Sequence, residues 1–200
     1  MKIYIFSGSH RKNSQSLKVA NFFSQLLSKS GIENKVFDLG ENPIPLWTPD
    51  MWEKESEQKK MWIKYSIGIA DADAYVFVSP EYSGMASPAI KNLFLYLSGA
   101  DLAHKPGLII TVSSGMGGSY PNSELRISSF KNTRIVYLPD HVIIRHAESV
   151  LNENDPISKE DDYIRHRLEY VKKLLVEYAK AFAQIRGSGV VDLKTYPFGM

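Results

Sequence analysis

Two hundred residues, 44% hydrophobic and 23% charged, suit one globular domain with room for a buried core. A net charge of +2 with no long basic block leaves no electrostatic footprint for bulk nucleic-acid binding. The absence of cysteine excludes disulfides, thiolate catalysis, zinc–thiolate sites and cysteine-ligated iron–sulfur clusters.

Ile3-Tyr4-Ile5-Phe6 is a β-branched and aromatic strand, not the basic start and apolar run of a signal peptide. No apolar stretch reaches the ~18 residues a membrane span needs. A cytoplasmic protein without membrane contact is expected. The strand runs into Ser7-Gly8-Ser9-His10-Arg11-Lys12-Asn13-Ser14-Gln15-Ser16, where Gly8 would permit a tight turn at φ > 0. From Ser16 the spacing is helical, through Leu17, Ala20, Phe23 and Leu27, with Ser30-Gly31 as the stop. Glu33 to Leu39 reads as a second strand, completing one β-α-β unit. The loop after it carries Pro43, Pro45 and the close pair Trp47 and Trp52, read as core cover or a partner interface ahead of a ligand wall.

Glu55 to Ala70 has a helical apolar face, and Ala74 to Ser79 is apolar on both faces, as in a buried parallel strand. That strand ends in Pro80-Glu81-Tyr82-Ser83-Gly84. Ser87-Pro88 starts a helix with an N-cap and a proline at its first position. Leu108 to Val112 is a fourth strand, ending in Ser113-Ser114-Gly115-Met116-Gly117-Gly118-Ser119-Tyr120. Asn122 to Phe130 suits a short helix and Arg134 to Leu138 a fifth strand. The pattern is irregular from Pro139 to Ser158, and Lys159 to Ile185 is a long amphipathic helix. Residues 1–185 are expected to form one domain and 186–200 a C-terminal extension, suited to lying on a neighbouring subunit.

Alternating strands and helices in this number predict an α/β fold: a doubly wound five-stranded parallel sheet with helices on both faces, in the flavodoxin-like order 2-1-3-4-5. Ligands of such sheets bind outside the carboxyl ends of the strands at the switch point. Strands one, three and four each end there in a loop rich in Ser and Gly.

The first loop reads as a phosphate cradle. Free N–H groups at a helix start, the positive end of its dipole, the hydroxyls of Ser9, Ser14 and Ser16 and the charge of Arg11 suit one anion. Gly-x-Gly-x-x-Gly is absent, as is Gly-x-x-x-x-Gly-Lys-Ser/Thr, so a terminal monophosphate, as in a mononucleotide such as FMN, fits better than a pyrophosphate. The alternative is an ordinary strand-to-helix turn with Ser14 as N-cap. Pro80 to Gly84 offers backbone groups on a stiff turn for a heterocycle edge, with Tyr82 placed to cover a ring face, or is a simple turn. Gly115, Gly117 and Gly118 leave backbone bare beside a ligand, or belong to a flexible surface loop.

Together the three loops resemble those of the NADPH-dependent FMN reductase family, the flavodoxin-like group that includes azoreductase-like, quinone-reducing and chromate-reducing members. Gly8-Ser9-His10-Arg11-Lys12-Asn13-Ser14 is similar to its Gly-Ser-x-Arg-x-x-Ser phosphate loop, and Pro80-Glu81-Tyr82 to its Pro-Glu-Tyr, followed by Pro88-x-x-Lys91-Asn92. Gly117-Gly118 with Leu125-Arg126 resembles its third motif. The chain departs at Ser16 and Ser83, where many relatives carry Asn, and at Tyr120 and Asn122, where they carry Arg and Gln. The resemblance implies FMN phosphate on Ser9, Arg11, Ser14 and Ser16. It puts the isoalloxazine between Pro80, Glu81, Tyr82, Ser83 and Gly84 on one side and Ser113, Ser114, Gly115, Gly117 and Gly118 on the other. It further implies NADPH or NADH as co-substrate, a small-molecule electron acceptor (quinone, azo compound, flavin or metal oxyanion), no protein acid or base as catalytic group, and a homodimer or homotetramer.

One rival is a non-enzymatic flavodoxin-type electron carrier, commonly acidic where this chain has a pI near 8.6. Another is a hydrolase using Ser113 or Ser114 with His141 or His146 and Asp140, though Gly-x-Ser-x-Gly is absent. His141 and His146 lack a supporting ligand set for a metal.

Overall fold

The computed structural model describes residues 1–199; the last residue of the expected extension, Met200, lies outside the described residues. Strand β1 (Lys2–Ser7) pairs in parallel with β2 (Glu33–Asp38), reached through helix α1 (Gln15–Lys29). A 3-10 turn at Pro49–Trp52 and helix α2 (Glu57–Ser66) lead to β3 (Ala74–Tyr82), which lies on the other side of β1. Then come the short β4 (Met85–Ala86), α3 (Pro88–Tyr96), α4 (Gly99–Leu102) and β5 (Pro106–Val112), parallel to β3. The chain continues through α5 (Ser119–Ser128), β6 (Val136–Tyr137), β7 (Val142–Ile144) and α6 (Lys159–Gly187).

The main path of the sheet is β2-β1-β3-β5-β6, the expected flavodoxin-like order, with two additions. β4 is an antiparallel return on the end of β3, and β7 pairs with the far end of β5. Of the fifth strand expected over Arg134 to Leu138 only Val136–Tyr137 forms, and Val142–Ile144, within the stretch read as irregular, adds a second short strand. Val136–Tyr137 faces Pro106 and Gly107, and Val142–Ile144 faces Ile110 to Val112. Pro139 between them has no N–H for the ladder, and Asp140 turns out to pair with Arg167 at 2.7 Å.

Alternation along the strands sorts the core by shape. Ile3, Ile5, Val76, Val78, Leu108 and Ile110 point to one face and form an aliphatic core with Val19, Phe23 and Leu27 of α1 and Leu168, Val171 and Leu175 of α6. Tyr4, Phe6, Tyr75, Phe77 and Ile109 point to the other, an aromatic core closed by Trp62 of α2, Ile90 and Leu93 of α3 and Leu125 of α5. Phe6 and Phe77 stack with ring centroids 5.4 Å apart. Each fully buried large apolar side chain contributes roughly 1.5–3 kcal/mol, and both faces of the three central strands are covered, so the sheet is rigid where it meets the loops.

The tryptophan loop is core cover on one side. Asn92 of α3 accepts the Trp47 N–H (2.9 Å) and donates to Pro45 O (2.9 Å), and Trp47 packs on the aromatic core. Trp52 meets it edge-on at 5.1 Å and stays exposed. The tail returns to its own chain, where the Arg134 guanidinium donates to Tyr196 O and Phe198 O. The expectation that it lies on a neighbouring subunit thus has an alternative within the chain.

Candidate active site at the strand ends

The order β2-β1-β3 reverses between β1 and β3, and the loops after β1, β3 and β5 rise side by side from that point. In the first, Gly8 is required by contact and not by a left-handed φ. Its N–H donates to Val78 O (2.8 Å), and a Cβ would lie 2.9 Å from that oxygen and 2.8 Å from Ile90 Cδ1. The positive φ falls on Asn13, at 51°. This corrects the expectation of a Gly8 turn. The loop is pulled onto β3 and α3, further fastened by the Ser87 hydroxyl donating to Gly8 O.

Ser14 is the N-cap of α1, its hydroxyl accepting the Leu17 N–H at 3.1 Å. Ser9 is wholly buried; its Oγ accepts the Arg11 N–H (3.1 Å) and meets the Tyr82 hydroxyl at 2.7 Å. Arg11 is exposed, as are its neighbours His10 and Lys12. Ser16 is 1% exposed, and its hydroxyl has no partner among the described residues. A buried, unsatisfied hydroxyl in the first turn of a helix, where the Gln15 and Ser16 N–H groups also precede the helix's own bonds, is the feature an anion would complete.

The second loop is a hairpin. Tyr82 pairs with Met85, and Ser83 (φ 51°) and Gly84 (φ 76°) form the two-residue connection with both φ positive, as a type I′ turn requires. Tyr82, expected over a ring face, spans the crevice to the first loop: its hydroxyl is on Ser9 and its ring meets His10 edge-on at 5.2 Å. Glu81 does something the sequence did not disclose. Its carboxylate accepts the Gly118 N–H at 2.5 Å, across to the third loop at the N-cap of α5, where the helix dipole favours negative charge.

The three glycines of the third loop have three different situations. Gly115 is open, with nothing within 4 Å of a notional Cβ. A Cβ at Gly117 would lie 2.4 Å from Glu81 Oε1. Gly118, the N-cap of α5, has φ 106° and no room against Ile143 Cγ2 at 2.5 Å. The loop's other face is tied to the segment after β7: Ser113 N–H donates to Ile144 O (2.9 Å), and Ala147 and His146 N–H donate to Ser113 O and Gly115 O, each at 3.1 Å. Ser113 is half-buried and Ser114 exposed. Thr111, at the end of β5, adds another buried hydroxyl without a partner among the described residues. Nothing in the local sequence marks it as part of the site, because only the sheet brings it beside Gly118.

Outside the crevice, Glu124 of α5 accepts the Ala86 N–H (2.7 Å) and pairs with Lys91 of α3 (2.9 Å). Burial works against its ionisation, but the Ala86 bond and Lys91 more than offset this and hold the carboxyl below its usual range. The hydrolase grouping is not assembled. Asp140 pairs with Arg167, His146 Nε2 meets Met116 Sδ at 3.0 Å, and the Ser113 hydroxyl accepts the Gly115 N–H. A concavity of about 680 Å³ runs along the outer side of α1 against residues 151–154 and α6. Two of the cations in its walls are already engaged with protein groups, Lys18 with backbone carbonyls and Arg165 with Asp161, and the crevice at the strand ends is the candidate site.

Among the described residues no helix is long and apolar enough to cross a membrane. The chain is 28% identical over 185 residues to 2-hydroxy-1,4-benzoquinone reductase of a Burkholderia species, covering 90% of this chain and 94% of that one. It is 29% identical over 118 residues to an NADPH azoreductase of Bacillus sp. strain OY1-2, covering 59% of this chain and spanning 62% of that protein's length. In structure it is similar to the flavoenzyme NAD(P)H:(acceptor) oxidoreductase of Paracoccus denitrificans, with a TM-score of 0.72, 20% identity and coverage of 90% and 98% of the two chains. The model of the family described as NADPH-dependent FMN reductase matches residues 1–149. The chain therefore belongs to the NADPH-dependent FMN reductase family, flavodoxin-like oxidoreductases that work with FMN and a nicotinamide reductant.

Proposed function

We propose that the crevice binds FMN and that the chain reduces a small-molecule acceptor at the expense of NADPH or NADH. The observation that carries this is the joining of three loops at the strand-order reversal, through Ser9 with Tyr82 and Glu81 with Gly118, around an unsatisfied Ser16 hydroxyl at a helix start. Ser9, Arg11, Ser14 and Ser16 would hold the phosphate. Backbone from Pro80, Glu81, Tyr82, Ser83 and Gly84 and from Ser113, Ser114, Gly115, Gly117 and Gly118 would hold the ring. The chemistry FMN supplies when bound is acceptance of a hydride equivalent from the nicotinamide and its delivery to the acceptor. The chain's own part is to bind and orient: Arg11 and the α1 N-terminus neutralise the phosphate, and the Glu81 tie keeps the second and third loops at a fixed separation. Quinones and azo compounds, the substrates named for the similar proteins, are the acceptor classes proposed.

Residues 1–185 would form the FMN-binding domain, with 186–200 an extension, and the location proposed is the cytoplasm, where a nicotinamide pool supplies the reductant. A homodimer or homotetramer is supported by the exposed Met85, Leu95, Tyr120 and Ile127 on β4, α3 and α5. The test is a visible spectrum of protein loaded with FMN and freed of excess, then mixed anaerobically with NADPH or NADH. Retained flavin that bleaches supports the reductase; retained flavin that does not bleach favours an electron carrier; a colourless protein refutes FMN binding.

A further inference from the structure

Lys18 stands in the first turn of α1, two residues beyond the unsatisfied Ser16 hydroxyl. Its ammonium leaves the helix and donates to Ala147 O (2.6 Å), Val150 O (2.8 Å) and Asn152 Oδ1 (2.7 Å). The segment it grips is the backing of the third loop, because His146 and Ala147 donate their N–H groups to Gly115 O and Ser113 O. The other end of that segment is held by Asp161 of α6. This wholly buried carboxylate accepts the Leu151 N–H (2.9 Å) and the Ile157 N–H (3.2 Å), and pairs with Arg165 (3.1 Å). Arg165 in turn donates to Glu153 O and Asn154 O. Burial lowers the Lys18 amine from its usual range, opposed by the nearby charges of Asp161 and Glu148. Between β7 and α6 the chain has only a three-residue 3-10 turn, Ala147–Ser149, so these two charged anchors supply the order that secondary structure does not.

We propose that Lys18 is a positioning residue: it fastens the 147–152 arm to α1 and thereby sets the Ser113–Gly118 backbone relative to the anion site at the start of that helix. This rests on the reading that the crevice holds FMN, the phosphate at α1 and the ring at the third loop. Lys18 touches neither. It makes the two halves of the site one mechanical unit, so that its loss loosens the ring end and spares the phosphate end.

The experiment compares wild type with Lys18→Met, which keeps the aliphatic stem, with Lys18→Arg, which keeps the charge, and with Asn152→Ala, which removes one of three acceptors and serves if Lys18→Met fails to fold. Amide hydrogen exchange on the protein without flavin reads the loop, and titrations with FMN, riboflavin and inorganic phosphate read the site. For Lys18→Met we expect faster exchange confined to residues 113–118 and 146–152. Riboflavin and FMN affinities should fall by the same factor, about tenfold, within the usual span of coupling between sites, with phosphate affinity unchanged. Asn152→Ala should show the same pattern more weakly, and Lys18→Arg should recover part of the loss. Unchanged exchange and riboflavin affinity overturn the proposal, as does a loss of phosphate affinity in equal proportion. A wild-type protein that binds no FMN overturns the site reading beneath it.

Discussion

An alanine series through the third loop separates a glycine needed for its φ from one needed for space and from one needed for neither. At Gly118 a side chain meets both obstacles. The φ of 106° costs about 1–3 kcal/mol for a non-glycine residue, and a Cβ only 2.5 Å from Ile143 Cγ2 adds the ~1–3 kcal/mol of an overpacked core, so Gly118→Ala should cost about 2–6 kcal/mol. At Gly117 the obstacle is the Glu81 carboxylate, 2.4 Å from the added carbon. That side chain can swing away, and what is lost is its bond to the Gly118 N–H, about 1.5–3 kcal/mol for a hydrogen bond to a charged group. Gly115→Ala meets nothing and restricts the unfolded chain, so it should be neutral or stabilising by about 0.4–1 kcal/mol. Urea denaturation of the protein without flavin measures all three, and Gly117→Ala repeated in a Glu81→Ala background should lose most of its cost. Equal costs at Gly115 and Gly118, or a Gly117 cost that persists without Glu81, would refute this account.

Three further outcomes are expected. Arg11→Ala should weaken FMN binding by about 1.5–3 kcal/mol, the range for a charge-assisted hydrogen bond; unchanged affinity in a fluorescence titration would remove Arg11 from the phosphate site. Ser83→Asn should stabilise the protein by a few tenths of a kcal/mol, because Asn enters the left-handed region more readily at a position with φ 51° in a type I′ turn; a lower denaturation midpoint would contradict the turn assignment. Burial, reinforced by Arg186, lowers the Lys105 amine from 10.5 to about 8. The unfolded chain then binds the extra proton between those values, so this group's contribution to stability rises as pH climbs from about 8 toward 10.5. Lys105→Met should lack that rise in denaturation free energy measured against pH, and parallel profiles would show that Lys105 titrates normally.

The sequence by itself determined whatever depends on near neighbours. β-branched and aromatic runs made β1, β3 and β5 recognisable, Ser14 and Ser87 cap helices as their type predicts, and the hydroxyls around Arg11 before a helix are the ground for the proposed anion site. Strand count and alternation then sufficed for the sheet order, since few arrangements of parallel strands and crossovers are allowed. Tertiary structure alone decided the rest, because those features depend on residues far apart in the chain. Gly8 proved to be a close approach to Val78 and Ile90, seventy and more residues away, where local reading saw a turn. Val142–Ile144, in a stretch that reads locally as irregular, becomes a strand by pairing with the far end of β5. The Glu81–Gly118 tie, the orphaned hydroxyl of Thr111 and the grip of Lys18 on the 147–152 arm arise from packing that brings separate strand ends together. Periodicity reports which face of an element is buried; it carries no information about what that face will meet.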